Sequence, residues 1–400
     1  MFALAWANVT HHKLRSLLSA LAVGIGIMLM LVSNGLATGS LAEVDQRMQS
    51  VDAELVVLPA QENIIFTNGA PFRRGHEQHL RQAADETGPL ASEVIPVFFG
   101  QVKMGGQQQR LFGVDPRQMA AFLGPRRVLA GKLFDRAHTL VDRLQAGATA
   151  PADMSDPAFQ AFIADGLELV IDERLQRVGG YRVGDEIQIM GQVFRIAGII
   201  ETGVAGRVFA PLQTLREIVL AGEASASMYF VKLRRGLDPV AVAERLQRDL
   251  GSDVRVELKS DYGRLLRDSF AQVSLYLNAS SGVALVACFL FILLTMYTTV
   301  IERTREIGIL KSLGVGRGGL VRLAINEALL ISLGGVAIGI TLAFLVRGSL
   351  LVYKPLLTVE LASRQLAAAI IIGVVGGVLS ALYPGYRAAR LDPAAALSAE

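Results

Sequence analysis

Residues 278–301, NASSGVALVACFLFILLTMYTTVI, contain no Asp, Glu, Lys, Arg or His. A helix needs about 20 apolar residues to cross the hydrocarbon core of a bilayer. Charge-free runs of this length are rare in buried soluble helices, so the segment predicts a membrane span. Three further stretches share the property: 17–36, 328–346 and 366–383. The composition agrees, with 52% hydrophobic and 19% charged residues against the quarter or so of charged residues usual in soluble domains. The 40 Gly and 13 Pro follow no collagen-like period.

Several function classes drop out early. A net charge of +3, with no run of Lys or Arg, gives no case for nucleic acid. The one cysteine, Cys288, cannot form an internal disulfide, and its apolar setting suits inert packing. The Walker pattern G-x-x-x-x-G-K-[ST] is absent, and so is the G-x-S-x-G elbow. His76, Glu77 and His79 resemble a metal cluster, yet a helical zinc site needs its two His four apart, and these are three apart in what reads as a polar loop. No catalytic, cofactor-binding or metal residue is expected.

Flanking charge sets the orientation. Lys13, Arg15, Arg303, Arg305, Lys311, Arg317, Arg322, Arg387 and Arg390 flank one side. Arg47, Lys259, Arg264, Arg267, Arg347, Lys354 and Arg364 flank the other. The bias puts both termini and the loop between spans two and three in the cytoplasm. The first span reads as an uncleaved signal anchor, because its apolar stretch exceeds that of a cleaved signal peptide. Gly335 and Gly339, like Gly373 and Gly377, are four apart, the spacing that lets helix backbones approach closely in lipid.

The expected organisation is an N-terminal cytoplasmic helix at 1–16 and a first transmembrane helix at 17–37. An extracytoplasmic domain at 38–275 and a second span at 276–301 follow. Then come a cytoplasmic helix and loop at 302–327, a span at 328–346, a short outer loop at 347–365, a span at 366–384 and a cytoplasmic tail at 385–400. The large domain reads as α+β, of two lobes. Strand patterns occur at 54–58, 94–99, 110–114, 187–190, 193–200, 228–233 and 254–258. A helix at 239–250 opens on Asp238 and Pro239 and stops at Gly251, which makes a β-α-β unit with its flanking strands. Residues 145–157, QAGATAPADMSDP, read as a loop.

The loop after span two, IERTREIGILKSLGVGRGGLVRLAINEALL, is the most informative. Read as a helix over 302–313, it gathers Ile307, Leu310 and Leu313 on one side. Glu302, Arg303, Arg305 and Glu306 take much of the rest, Lys311 lies near the end, and Gly314 can stop the helix. Such a helix could lie on lipid headgroups or enter a groove on a cytoplasmic protein.

This loop resembles the signature region of FtsX-like permeases, the MacB/LolC/DevC group of ABC transporters. The matching residues run from Glu302 to Lys311, with Leu313, Gly314, Arg317 and Glu327. The tail PGYRAARLDPAAAL (Pro384, Arg387, Ala388, Ala389, Arg390, Asp392, Pro393, Leu397), the segment KLRSLLSALAVGIGI, and GVDP and VGDEIQIMGQVFRIAGIIETG in the large domain are similar too. The resemblance implies an ATPase-coupling helix at Glu302, Arg303, Arg305, Glu306, Ile307, Leu310, Lys311 and Leu313. It implies Porter-like parts near 45–100 and 225–272, with a Sabre-like insertion between. It also implies a separate ATPase subunit that carries ATP and Mg, a second permease copy or paralogue, and in some members a periplasmic adaptor, with lipid around the spans. The function expected from it is mechanotransmission for export or extraction of an amphipathic substrate. The rival is a non-transporting regulator of a cell-wall enzyme; a receptor with no ATPase is a third reading.

Overall fold

A computed structural model describes residues 2–11, 13–60, 72, 75–104, 106–124, 127–151, 153–203, 205–220, 225–269 and 271–390. The helices in chain order are α1 (Phe2–His11), α2 (Lys13–Gln49), α3 (His76–Gln82), α4 (Met119–Leu123), α5 (Ala137–Gln145), α6 (Pro157–Ile163), α7 (Glu173–Gly179), α8 (Leu212–Leu220), α9 (Pro239–Leu250), α10 (Tyr262–Ser269), α11 (Ala271–Glu302), α12 (Thr304–Ser312), α13 (Arg317–Tyr353) and α14 (Ser363–Arg390). The strands are β1 (Leu55–Pro59), β2 (Ala84–Asp85), β3 (Gly88–Pro89), β4 (Ala91–Met104), β5 (Gln107–Val114), β6 (Val128–Gly131), β7 (Glu168–Asp172), β8 (Glu186–Ile189), β9 (Gln192–Ile200), β10 (Val208–Pro211), β11 (Met228–Leu233) and β12 (Val254–Leu258). The chain divides into two compact units, residues 1–40 with 271–400, and residues 41–270.

The first unit holds α11, α13 and α14, the start of α2, and the short helices α1 and α12. Four helices, α2, α11, α13 and α14, are long and apolar enough to cross a membrane. They outrun the charge-free stretches that announced them: α13 continues through Arg347 to Tyr353. Hydrocarbon thickness limits the charge-free length, whereas a helix can continue into polar surroundings. The glycines explain how the bundle closes. A Cβ on Gly335 would lie 2.6 Å from Val23 Cβ, and one on Gly339 would lie 2.7 Å from the Gly24 carbonyl oxygen. A Cβ on Gly377 would lie 2.7 Å from Ser332 Cβ, and one on Gly373 would collide with Val336. The first pair therefore admits α2 against α13, and the second admits α13 against α14. Ser332 is fully buried and donates to the Gly373 carbonyl. Cys288 packs on Gly26 and donates to the Ala22 carbonyl at 3.1 Å.

The second unit is built on one ten-stranded sheet in the order β12-β1-β11-β4-β5-β10-β7-β9-β6, with β8 paired to β9. The parts mapped as Porter-like supply β12, β1, β11 and β4, and the insertion supplies the strands from β5 onward. The two lobes therefore share a ladder, β4 on β5, that runs antiparallel from Val97↔Val114 to Met104↔Gln107. β1 runs antiparallel to both β11 and β12, so those two are parallel, and α9 makes the crossover between them. Asp238 caps α9 by accepting from Val240 N at 3.1 Å. Phe112, Phe122, Phe209 and Phe230 are buried and meet edge-on or tilted in the core on one side of the sheet.

Two local readings change. His76, Glu77 and His79 lie on helix α3, not in a loop, because Gly75 turns the chain at φ +105° and Glu77 pairs with Arg81 one helical turn on. β2, β3, β6, β7 and β10 fall outside the strand patterns of the sequence. β7 (ELVID) is buried along its whole length, yet acidic residues at both ends cut its apolar run to three residues.

Candidate coupling site

α12 sits in the first unit between α11 and α13. The expected continuous helix over 302–313 is interrupted: α11 runs to Glu302, Arg303 leaves helical geometry at φ −102° and ψ 19°, and α12 begins at Thr304. The end of α12 follows the sequence closely. Gly314 takes φ +91°, Val315 N donates to Leu310 O at 3.1 Å, and Gly314 N donates to Lys311 O at 3.1 Å. These paired bonds form the Schellman stop that glycine permits.

α12 turns its apolar side toward the bundle. Ile307 is buried against Val300, Leu320 and Ala388, with Leu310 and Val315 packed beside them. The apolar side that the sequence offered to a partner is therefore covered in large part by this chain's own helices. Arg305, Ile309, Ser312 and Leu313 face outward, with Leu313 77% exposed. Lys311 Nζ donates to the Ala389 carbonyl at 3.1 Å.

Three polar contacts seat the element. Arg303 donates to Asn8 Oδ1 at 2.7 Å, lies 3.7 Å from Glu327 Oε1, and donates to Glu306 Oε2 at 2.7 Å. Asn8 in turn donates to Glu327. One guanidinium thereby ties the break before α12 to both α1 and α13. Arg15 grips Glu302 with two parallel hydrogen bonds of 2.6 and 2.7 Å and reaches Thr299 Oγ1 at 3.2 Å. Such a fork is a strong geometry for an ion pair. Asn8 and Arg15 went unrecognised in the sequence as parts of this site, and Glu327 entered only through the family pattern. Their one signal was polarity beside long apolar runs.

A cavity of about 290 Å³ opens among these elements. Leu4, Ile309, Leu310 and Leu323 line it, with Asn8, Arg303 and Glu327 at its polar end. It could take one apolar side chain from outside, with a polar group beside it.

A second polar cluster lies wholly within residues 41–270. Arg47, near the end of α2, sits 2.9 Å from Glu43 and 3.4 Å from Asp172, and donates to the Gly206 carbonyl at 3.1 Å. Arg207 reaches Glu43 at 2.5 Å, and Arg174 lies 3.5 Å from it. Asp172 also accepts from Leu175 N at 2.7 Å and so caps α7. Burial raises the Asp172 carboxyl above the usual range, against the pull of that backbone bond and of both arginines. Burial likewise lowers Arg207 from its ordinary value, reinforced by Arg47 and opposed by Glu43.

His76, Glu77 and His79 are engaged elsewhere. His76 lies 3.5 Å from Asp253, Glu77 pairs with Arg81 and Arg216, and the His79 ring contacts the Gly75 carbonyl.

Comparison with known proteins places the sequence. Residues 16–249 match the MacB-like periplasmic core domain, and residues 278–393 match the FtsX-like permease C-terminal family. The pyoverdine export ATP-binding/permease protein PvdT of Pseudomonas syringae pv. tomato (strain ATCC BAA-871 / DC3000) is 27% identical over 419 residues, across 99% of this chain and 59% of that protein. The macrolide export ATP-binding/permease protein MacB of Escherichia coli (strain K12) is 27% identical over 230 residues, across 54% of this chain and 35% of that protein. The chain thus spans 59% of the length of such PvdT relatives. The crystal structure of the periplasmic region of MacB from Actinobacillus actinomycetemcomitans aligns at TM-score 0.37 and 10% identity, covering 56% of this chain and 97% of that one.

Proposed function

The chain belongs to the MacB-type, FtsX-like family of ABC transporter permeases, multi-pass inner-membrane proteins with a large extracytoplasmic domain, and from that premise we propose that α12 receives the motion of an ATP-binding partner. The nucleotide would be hydrolysed outside these 400 residues, which hold no P-loop. The partner's movement would reach the extracytoplasmic domain through the helices rather than drive a solute along a polar path. The lack of charged residues in the four stretches 17–36, 278–301, 328–346 and 366–383 supports this, because polar membrane pathways usually carry ionisable groups. The named relatives act in pyoverdine and macrolide export, which supports export or extraction of an amphipathic molecule as the use of that motion. A second copy of the chain is proposed as the other half of the permease, since α11 leaves Val283, Val286 and Leu290 more than half exposed.

The observation that carries the reading is the outward set on α12. With Ile307 turned inward, the docking anchors are Ile309 and Leu313, flanked by Arg305 and Ser312. The cavity beside them offers a seat for a reciprocal apolar side chain. Apolar anchors supply affinity in such contacts, and rim charges supply register. A photocrosslinker placed at position 309 or 313 in cells should capture an ABC-type ATP-binding protein, identified by mass spectrometry. Ile309→Asp with Leu313→Asp should abolish recruitment at unchanged permease levels. Crosslinks to lipid alone, or full recruitment by the double variant, would remove the assignment.

A further inference from the structure

We propose that one anionic phospholipid is bound in the groove between the start of α2 and the last turns of α11, with its phosphate at Lys13 and an acyl chain between Leu18 and Leu294. The groove holds about 690 Å³ and is lined by residues of α2 and α11, with His11 of α1 at one end. Its walls are apolar and open: Leu14, Leu18, Phe291 and Leu294 are each between 43% and 73% exposed. Leu18, Phe291 and Leu294 lie inside the charge-free stretches 17–36 and 278–301, so they face hydrocarbon rather than water. Leu14 lies just before the first of these stretches. The floor is polar and closed, with Ser19 fully buried and its hydroxyl 3.3 Å from Thr295 Oγ1.

The groove changes character at its end beside His11, Lys13 and Arg15. No carboxylate occurs in the sequence before Glu43. Glu302 is held by both terminal nitrogens of Arg15, which fixes that guanidinium beside the groove and leaves its charge balanced. Lys13 is exposed and has no ion-pair partner among the described residues. A net positive site therefore meets an acyl-sized apolar channel one to two helical turns away. The chemistry that satisfies both ends in one molecule is a lipid with a net negative headgroup. A zwitterionic lipid would bring its own ammonium group to Lys13. Basic residues next to a span attract anionic lipid through the same electrostatics.

The test uses the full chain in nanodiscs of mixed phosphatidylglycerol and phosphatidylcholine, released for native mass spectrometry. The wild type should retain one phosphatidylglycerol in preference to phosphatidylcholine. Lys13→Gln should cut that retention about fivefold, the size expected for one basic residue at a membrane surface. Lys13→Arg should keep it, and Lys354→Gln, at an exposed cation elsewhere in the unit, should leave it unchanged. Leu294→Trp should fill the channel and lower retention with Lys13 intact. Equal retention of the two lipids would overturn the proposal, as would equal losses from Lys13→Gln and Lys354→Gln. Displacement of the lipid by millimolar inorganic phosphate would also overturn it, since that marks an anion site with no acyl component.

Discussion

The two units of this chain are packed by opposite means. In residues 41–270 the core is closed by bulk: Phe122 lies between Phe209 and Phe230, with ring centroids 6.1 and 5.6 Å away. In the membrane unit, contacts are closed by absence, at Gly335, Gly339, Gly373 and Gly377, where the missing side chain leaves room for a neighbouring helix's backbone or side chain. The difference follows from the solvent. Water drives apolar rings together at about 25 cal/mol per Å² buried. Lipid gives no such drive, so helices there associate through close van der Waals fit and a few hydrogen bonds, such as that of Ser332 to Gly373. Polar groups follow the same division. The Asp172 cluster is sealed inside a water-soluble fold, whereas the Arg15–Glu302 pair stays at the margin of the bundle, 35% and 51% exposed.

The largest effect is expected at Asp172. Removing one member of a buried charge network leaves its partners uncompensated, at about 3–5 kcal/mol, and loss of the α7 cap adds about 1 kcal/mol. Asp172→Ala should therefore strip hydrogen-exchange protection from β7 and β10 and leave α13 and α14 protected. Equal loss in both units would mean that they do not unfold independently, and would break the contrast. Next comes Phe209→Ala, which empties an aromatic site in the same core at about 3–5 kcal/mol. Its exchange signature should again stay within residues 41–270.

The sequence made the bulk of the membrane unit legible and much less of the soluble one. Spans are readable because a bilayer forbids charge over a fixed length, and that constraint is local. The Asp172 cluster joins residues from α2, β7 and the bend before β10, and Arg47 meets Asp172 across 125 positions, so no window contains it. β7 escaped because Glu168 and Asp172 serve as buried caps, for α5 and α7, and leave only three apolar residues between them. For α12 the period located the apolar side but not its owner. Ile307 and Leu310 suit a partner's groove and this chain's own helices equally well, and only the fold assigns them to Leu320 and Ala388. The glycine pairs were legible by spacing, yet spacing could not tell that each serves a different neighbour.

Gly339→Val tests the membrane half of the comparison. The added Cβ would meet the Gly24 carbonyl oxygen at 2.7 Å and Ile27 Cβ at 2.9 Å, so backbone as well as side chain must give way. Overpacking of this kind costs about 1–3 kcal/mol. A lowered melting temperature in detergent, with exchange rising in α2 and α13 alone, is the expected result. Gly282→Ala, where a new Cβ meets nothing within 4 Å, is the matched control and should change little. If both variants behave alike, close approach is not what holds the bundle.

The smallest effect belongs to Arg15 and Glu302, and it sharpens the comparison most. Their bidentate geometry is better than that of Arg47 with Asp172, at 2.6 against 3.4 Å, yet the pair is partly solvated. If distance governed strength, the Arg15–Glu302 pair would be the stronger of the two. If exclusion of solvent governs, it should couple by about 1 kcal/mol or less, as exposed pairs do. A double-mutant cycle with Arg15→Ala and Glu302→Ala, read as detergent melting at low and high salt, separates these cases. The expected coupling is small and shrinks with salt, because ions screen exposed charges within a Debye length of about 8–10 Å. A salt-insensitive coupling of several kcal/mol would show that this margin of the bundle excludes water as fully as the interior of the sheet domain.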